Sequence, residues 1–261
     1  MIRISVVFCL LLISIFGCGK YAIGNEEPQP PAEVLAQQLL AEQKVGRSVA
    51  DIVDQLAKLN PSSLRAELDT REEKLAFWIN VYNGMVQYWL NEQPELWENR
   101  GQFFSGKRIT IAGELVSLEN IEHGVIRGTE AKLGLGFIPK FFPSKFERTF
   151  KIKKGDPRIH FALNCGAIDC PPVEIYEAET IDERLDYRSR VYLERKSELS
   201  EDGRTITTTP LFKWFKGDFN TYGGINEFLQ HFGILDERNR KAKRAYTDYD
   251  WTLALDVWAT D

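Results

Sequence analysis

Histidine is scarce in this chain, with three in 261 residues, and cysteine is hardly commoner at four. Only Cys165 and Cys170 lie beyond the first twenty residues, so thiol, disulfide or zinc chemistry in the body of the chain must draw on these two with His123, His160 and His231. Basic excess is also missing. The net charge is −5 with both signs interleaved, which removes the electrostatic footprint of a nucleic-acid-binding protein. No internal repeat occurs, so a solenoid is excluded. No apolar run is long enough to cross a bilayer comfortably; the longest, residues 4–16, falls short of about 20 residues. What remains is ordinary for a globular protein, with 43% hydrophobic and 27% charged residues. Aromatic residues, at 12% with six Trp, imply a large core or an aromatic-lined cleft.

The first segment, "MIRISVVFCLLLISIFGCGK", has Arg3 ahead of the short apolar run and then Gly17-Cys18, the layout of a signal peptide over residues 1–17. Its end, Ile15-Phe16-Gly17-Cys18, resembles a bacterial lipobox, with Ile15 and Phe16 departing from the usual residues there. That resemblance implies lipidation of Cys18 and a membrane partner held through the lipid. Gly19 in the following position implies a lipid-anchored place in the cell envelope, at the outer membrane and facing the periplasm. The rival is ordinary cleavage after residues 22–24. Residues 18–33, polar and proline-rich from residue 24, read as a flexible tether. Residues 34–261 form the single domain.

Apolar spacing predicts helices over 33–43 and 48–59, the second ended by Asn60-Pro61. The clearest helix opens at a Thr70/Glu73 capping box and runs to about Gln93, with Phe77, Trp78, Val81, Tyr82, Met85, Trp89 and Leu90 as its core face. Asn80, Asn83 and Gln87 make a polar ridge on it. They are candidate ligand-binding residues, or a solvated face shared with Glu73, Ala76 and Asn91. Residues 107–116 suggest a hairpin turning at Ala112-Gly113, and Ser117 caps a helix to Ile126 that carries His123. Residues 131–150 look irregular and 157–164 read as a strand. A Thr180/Glu183 capping box opens a helix to about Leu193, residues 204–210 fit an edge strand or hairpin arm, and 211–219 and 225–234 are short helices. The fold class is α+β, with helices packed on a small, mostly antiparallel or mixed sheet.

The stretch "RIHFALNCGAIDCPP" (158–172) concentrates the chemistry, and four readings compete. Cys165 and Cys170 can form a disulfide, since Gly166 permits the chain to fold back and Pro171 stops the strand. Cys165 can instead be a catalytic thiol paired with His160 or His123, with Asn164 or Asp169 orienting the imidazole. Along a straight strand His160 and Cys165 face opposite ways, so the strand must break near Gly166 for them to meet. His123, His160, Cys165 and Cys170 are together the right atoms for zinc, but without a familiar spacing. The expectation is no metal and no cofactor. The plain reading is a core strand end. Arg127 and Arg158 are candidates to bind a carboxylate or phosphate, with structural ion pairs as the alternative.

"AFWINVYNGMV" (76–86), "LENIEHGVIR" (118–127), "DPRIHFALNCGAIDCPPVEIY" (156–176) and "YDWTLA" (249–254) together resemble the family called domain of unknown function 547. The likeness covers about 70–200, with a weaker tail to 254. It implies a domain and not an activity: plant members look like interaction proteins with added coiled coils, and bacterial members are often lipoproteins. Two functions are therefore expected in competition. One is a thiol-dependent hydrolase or acyl transferase acting on a peptide or small amide. The other is a non-catalytic binding or scaffold module with a structural Cys165–Cys170 bridge.

Overall fold

The computed structural model describes residues 30–131 and 134–260. The signal-peptide reading, the lipidation of Cys18 and most of the tether lie outside them. The tether reading runs two residues too far, because the first helix, α1 (Ala32–Lys44), already includes Ala32 and Glu33. It is followed by α2 (Ala50–Lys58), α3 (Pro61–Glu67) and α4 (Arg71–Glu92). Asn60 ends α2 and also caps α3, accepting from the backbone N–H groups of Ser62 and Ser63.

Helix α4 is the centre of the fold. Thr70 Oγ1 accepts from Glu73 N while a Glu73 carboxylate oxygen accepts from Thr70 N, which satisfies donors that a helix start leaves orphaned. Trp78 is fully buried and meets Phe77, Phe146 and Phe150 edge-on. Helix α1 crosses α4 at Gly84, where any Cβ would sit 2.3 Å from a Leu39 methyl carbon, so only glycine allows this approach.

Beyond α5 (Arg100–Ser105), strands β1 (Ile109–Ile111) and β2 (Glu114–Val116) form the expected hairpin, turning through Ala112 and Gly113 at positive φ. Ser117 caps the next segment, with its Oγ accepting from Asn120 N. That segment is a π-helix over Asn120–Ile126, shown by the wide Arg127 N to Glu122 O bond of 2.8 Å. Within the stretch read as irregular, Ser144 and Glu147 build a capping box for α6 (Lys145–Phe150).

Residues 157–164 are not a strand. Asp156 Oδ1 accepts from Arg158 N and starts a 3₁₀ turn over Pro157–Phe161, after which the chain runs irregularly. The alternating-face argument for His160 and Cys165 therefore does not apply. After α7 (Ile181–Lys196), strands β3 (Glu198–Leu199), β4 (Thr205–Thr208) and β5 (Lys243–Tyr246) form a three-stranded sheet in the order β3-β4-β5. Strand β4 is central, antiparallel to β3 and parallel to β5, so it is a hairpin arm but not an edge. Thr180 makes no side-chain cap at α7. Helices α8 (Leu211–Trp214) and α9 (Ile225–His231), with a 3₁₀ turn over Asp218–Tyr222 between them, pack a second apolar cluster around Phe161, Phe212, Phe219 and Phe228. Among the described residues the fold is a single α+β globular unit with two small sheets.

Candidate functional site: an aromatic cleft with two imidazoles

The polar ridge of α4 is buried, not solvated: Asn80, Asn83 and Gln87 are all fully covered. Their work is to satisfy backbone that has no ladder of its own. Asn80 exchanges two bonds with Tyr176, its Nδ2 donating to the carbonyl at 2.7 Å and its Oδ1 accepting from N at 2.9 Å. Asn83 donates to Ala162 O and accepts from Asn164 N, and Gln87 donates to Asn164 Oδ1 at 3.2 Å. An irregular buried segment needs such side-chain donors because an unpaired buried amide is expensive. The ridge thus fixes the 162–176 segment against α4.

Asn164 serves the same segment. Its Oδ1 accepts from Gly166 N at 2.9 Å and its Nδ2 donates to Pro171 O at 2.7 Å, which folds residues 164–171 into a closed turn with Gly166 at φ 93°. Inside the turn Cys165 and Cys170 are bonded, with sulfurs 2.10 Å apart and Cα atoms 6.1 Å apart. In this form Cys165 has no thiol to act as a nucleophile. The half-buried Tyr249 donates from its hydroxyl to Cys170 Sγ at 3.3 Å, and desolvation pushes that phenol well above its ordinary range, so it stays protonated. The tail closes over the turn through an isolated Ala167–Leu253 bridge. Asp169 points away from the histidines, ion-paired with Lys196 and accepting from Asp250 N.

A cleft of about 470 Å³ opens beside the turn. Cys165, His123 and His160 all line it. One wall holds Tyr82, Glu119 and Glu122; the other is Leu211, Trp214, Phe215, Tyr249 and Trp251. Trp214, Tyr249 and Trp251 form a continuous aromatic cluster, with ring centres 4.7–5.7 Å apart. Arg100 lies over Trp251, 5.2 Å from the ring centre.

The two imidazoles are joined through Arg127 and Asp218. Arg127 forks onto both Asp218 oxygens at 2.8 and 2.9 Å, and its Nη1 donates to His123 Nδ1 at 2.9 Å. Guanidinium has no acceptor, so His123 Nδ1 must be the lone-pair nitrogen and the ring's proton sits on Nε2. Asp218 Oδ2 also accepts from His160 Nε2 at 2.8 Å. Burial opposes the Asp218 charge, but hydrogen bonds from His160 and Arg127 outweigh it and hold the carboxyl far below its usual range. His160 therefore donates from Nε2. Its ring stacks on Phe215, centres 4.0 Å apart, and Arg127 packs on the same residue. On the other side of His123, Tyr82 donates to Glu122 at 3.1 Å; burial and then the Glu122 charge push that phenol up.

Arg127 is accordingly a buried ion pair rather than an open anion receptor. Arg158 is likewise engaged, by Asp156, Asp182 and Asp186, with Arg71 bound to the same Asp156. Both follow the ion-pair alternative. The four residues weighed for zinc are engaged separately, the sulfurs with each other and the imidazoles with Asp218 and Arg127. Among the described residues no group of three or more His, Cys, Asp or Glu is placed to hold a metal ion. Sequence reasoning missed Asp218, Glu122, Tyr82 and the aromatic wall. The only signal for them was the aromatic richness and the dense run "LFKWFKGDF" (211–219).

Fold and cleft define an α+β domain that carries two linked imidazoles facing an aromatic wall. Residues 66–193, a little under half of the chain, match the model of a family described as protein of unknown function, DUF547. The match supports the family resemblance carried by the motifs. No curated protein and no solved structure matches the chain.

Proposed function

We propose that this chain is a lipid-anchored cell-envelope protein whose cleft binds a small molecule or peptide through an aromatic or aliphatic group. The lining of the cleft carries this reading. Ligand pockets are mostly apolar concavities with a few placed polar groups. Here Trp214, Phe215, Tyr249 and Trp251 supply the apolar surface, while His123 and Glu122 supply the polar side. The Cys165–Cys170 bridge is structural in this reading and shapes the cleft floor. The anchor is Cys18, and the protein faces the periplasm from the outer membrane; Cys18→Ser should move the protein out of the membrane fraction after a high-salt wash that releases peripheral contacts. Neither nucleic acid nor a cofactor enters the proposal.

Two uncharged probes test the cleft: N-acetyl-tryptophanamide and N-acetyl-leucinamide. Each should bind saturably in isothermal titration calorimetry, and Trp214→Ala should weaken both. Absence of saturation by either probe at millimolar concentration would remove the binding reading.

A second reading is kept because Cys165 shares the cleft with both histidines. In the reduced protein the Cys165 sulfur attacks an amide carbonyl carbon, and an imidazole takes the thiol proton and passes it to the departing amine. Water then hydrolyses the thioester, releasing the acid and restoring the thiol. Reduced protein should release p-nitroaniline from an acyl p-nitroanilide, and Cys165→Ser should not. Equal rates with and without reductant would eliminate this reading.

A further inference from the structure

One surface segment departs from the interleaved charge of the rest. Between residues 134 and 154 the exposed side chains include Phe141 at 81% and Phe142 at 91% accessibility, with Phe137 and Ile138 about half exposed. Scattered exposed apolar residues are normal, but four in one loop tip form a patch that points to a partner. The same segment carries exposed Lys145, Arg148, Lys151, Lys153 and Lys154. Its single acid, Glu147, is fully buried and already bound to Lys140, Asn120 and Ser144 N. The exposed charge is thus uniformly positive on a chain whose net charge is −5.

The fold holds these parts together. Lys140 N donates to Thr129 O at 2.7 Å and Ile152 N to Val125 O at 3.0 Å, so the loop base and the lysine-rich segment both dock on the strip at 125–129. Arg148 donates to Pro143 O at 2.5 Å, which ties α6 to the aromatic tip. Two nearly bare phenylalanines beside a set of cations, in a segment whose one acid is buried, match the chemistry of a bilayer interface. Apolar rings enter the boundary region while cations meet anionic headgroups.

We infer that this loop is a membrane-contact surface that seats Phe141 and Phe142 in the interfacial region of an anionic lipid bilayer. The contact is independent of the N-terminal lipid anchor and of what the cleft binds. Charge complementarity selects the bilayer as the occupant: the patch is positive on an acidic protein, and phosphatidylglycerol presents the opposite sign. Leu135, on the same loop, also lines the cleft, so seating the loop would set the cleft mouth near the membrane.

The test uses the full chain, with and without vesicles, and reads backbone hydrogen exchange over residues 137–148. Vesicles of phosphatidylcholine with phosphatidylglycerol should slow exchange there on the order of threefold or more. Phosphatidylcholine alone should do less. Phe141→Ser with Phe142→Ser should abolish the slowing, and Lys145→Glu with Arg148→Glu should abolish its dependence on phosphatidylglycerol. The anchor is unchanged in both variants, so loss of protection reports on the loop itself. Unchanged exchange in both kinds of vesicle would overturn the proposal. So would slowing that appears without lipid as protein concentration rises, because the patch would then join copies of the chain.

Discussion

The cleft has two walls of different origin. The one that carries both imidazoles, with Tyr82, Glu122, His123, His160 and the bridged Cys165, comes from the segment 66–193 that matches the DUF547 model. The aromatic wall, with Trp214, Phe215, Tyr249 and Trp251, comes from the chain after it. Each depends on a different cluster. The first wall hangs on α4 and its buried amides, while the second rests on the phenylalanines around Phe212 and Phe228. Asp218 belongs to the second region but holds Arg127 and His160 of the first. The matched segment therefore does not complete its own polar network. Cutting the chain after residue 193 would leave Arg127 buried without its carboxylate, so the two regions should be studied as one site.

The largest expected effects fall where the two regions are internally tight or directly joined. Trp78→Ala empties a site at the centre of α4 and should cost about 3–5 kcal/mol in a denaturant titration. Arg127→Ala breaks the junction and leaves Asp218 a buried, half-compensated charge, which should destabilise by a similar roughly 3–5 kcal/mol. Asp218→Asn with Arg127→Ala should restore part of that loss, since both charges then go. Strict additivity in this cycle would mean the two regions are not coupled through the pair.

Acid should loosen the same junction. The folded Asp218 carboxyl is held far below the usual range, whereas in the unfolded chain it titrates near ~4. The stabilisation is therefore fully present above the unfolded value and is lost as pH falls from there toward the folded one. The urea midpoint should drop between about pH 5 and pH 2, and the drop should be shallower for Asp218→Asn. Equal slopes would show that the carboxylate is not held by its partners.

Replacing both Cys165 and Cys170 by Ser should act next most strongly. The closed loop is short, so the chain-entropy contribution is about 2 kcal/mol. The change should stay local, because Asn83, Gln87 and Asn164 still hold the turn. Loss of the aromatic probe's binding along with this modest destabilisation would place the bridge in the cleft's architecture. Unaltered binding would confine it to the turn.

How much of this was legible in the sequence depends on whether the partners were local. The Thr70/Glu73 cap, the 107–116 hairpin and the apolar face with Trp78 could be read because each is a short-range pattern. Residues 157–164 misled because apolar content alone does not separate a strand from a buried irregular segment. What decided it was Asp156 capping Arg158 N, and then Asn83 supplying the hydrogen bonds a ladder would have given. The ridge Asn80, Asn83 and Gln87 looked solvated for the same reason, since its partners at Tyr176, Ala162 and Asn164 are 77–96 residues away. Asp218 had no local mark at all; its partner Arg127 is 91 residues distant. Cys165 and the two histidines were singled out by rarity and do share the cleft, but the composition of its far wall could be anticipated only as an excess of aromatic residues.

The smallest expected stability change sharpens the contrast between the walls most directly. Trp251 is a third exposed, at 36%, while Trp78 is fully covered. Its ring touches Trp214, Tyr249 and Arg100, whereas its backbone carbonyl accepts from Trp97 Nε1 at 3.0 Å, a bond that a side-chain truncation keeps. Trp251→Ala should therefore change stability by roughly 1 kcal/mol or less. The same ring supplies stacking surface to anything in the cleft, and an aromatic pair contributes about 0.5–1.5 kcal/mol beyond area, so affinity for N-acetyl-tryptophanamide should fall up to about tenfold. Affinity for N-acetyl-leucinamide, which offers no ring to stack, should fall less. A destabilisation on the scale of Trp78→Ala, with both affinities unchanged, would show that the aromatic wall is core and that the ligand surface lies elsewhere.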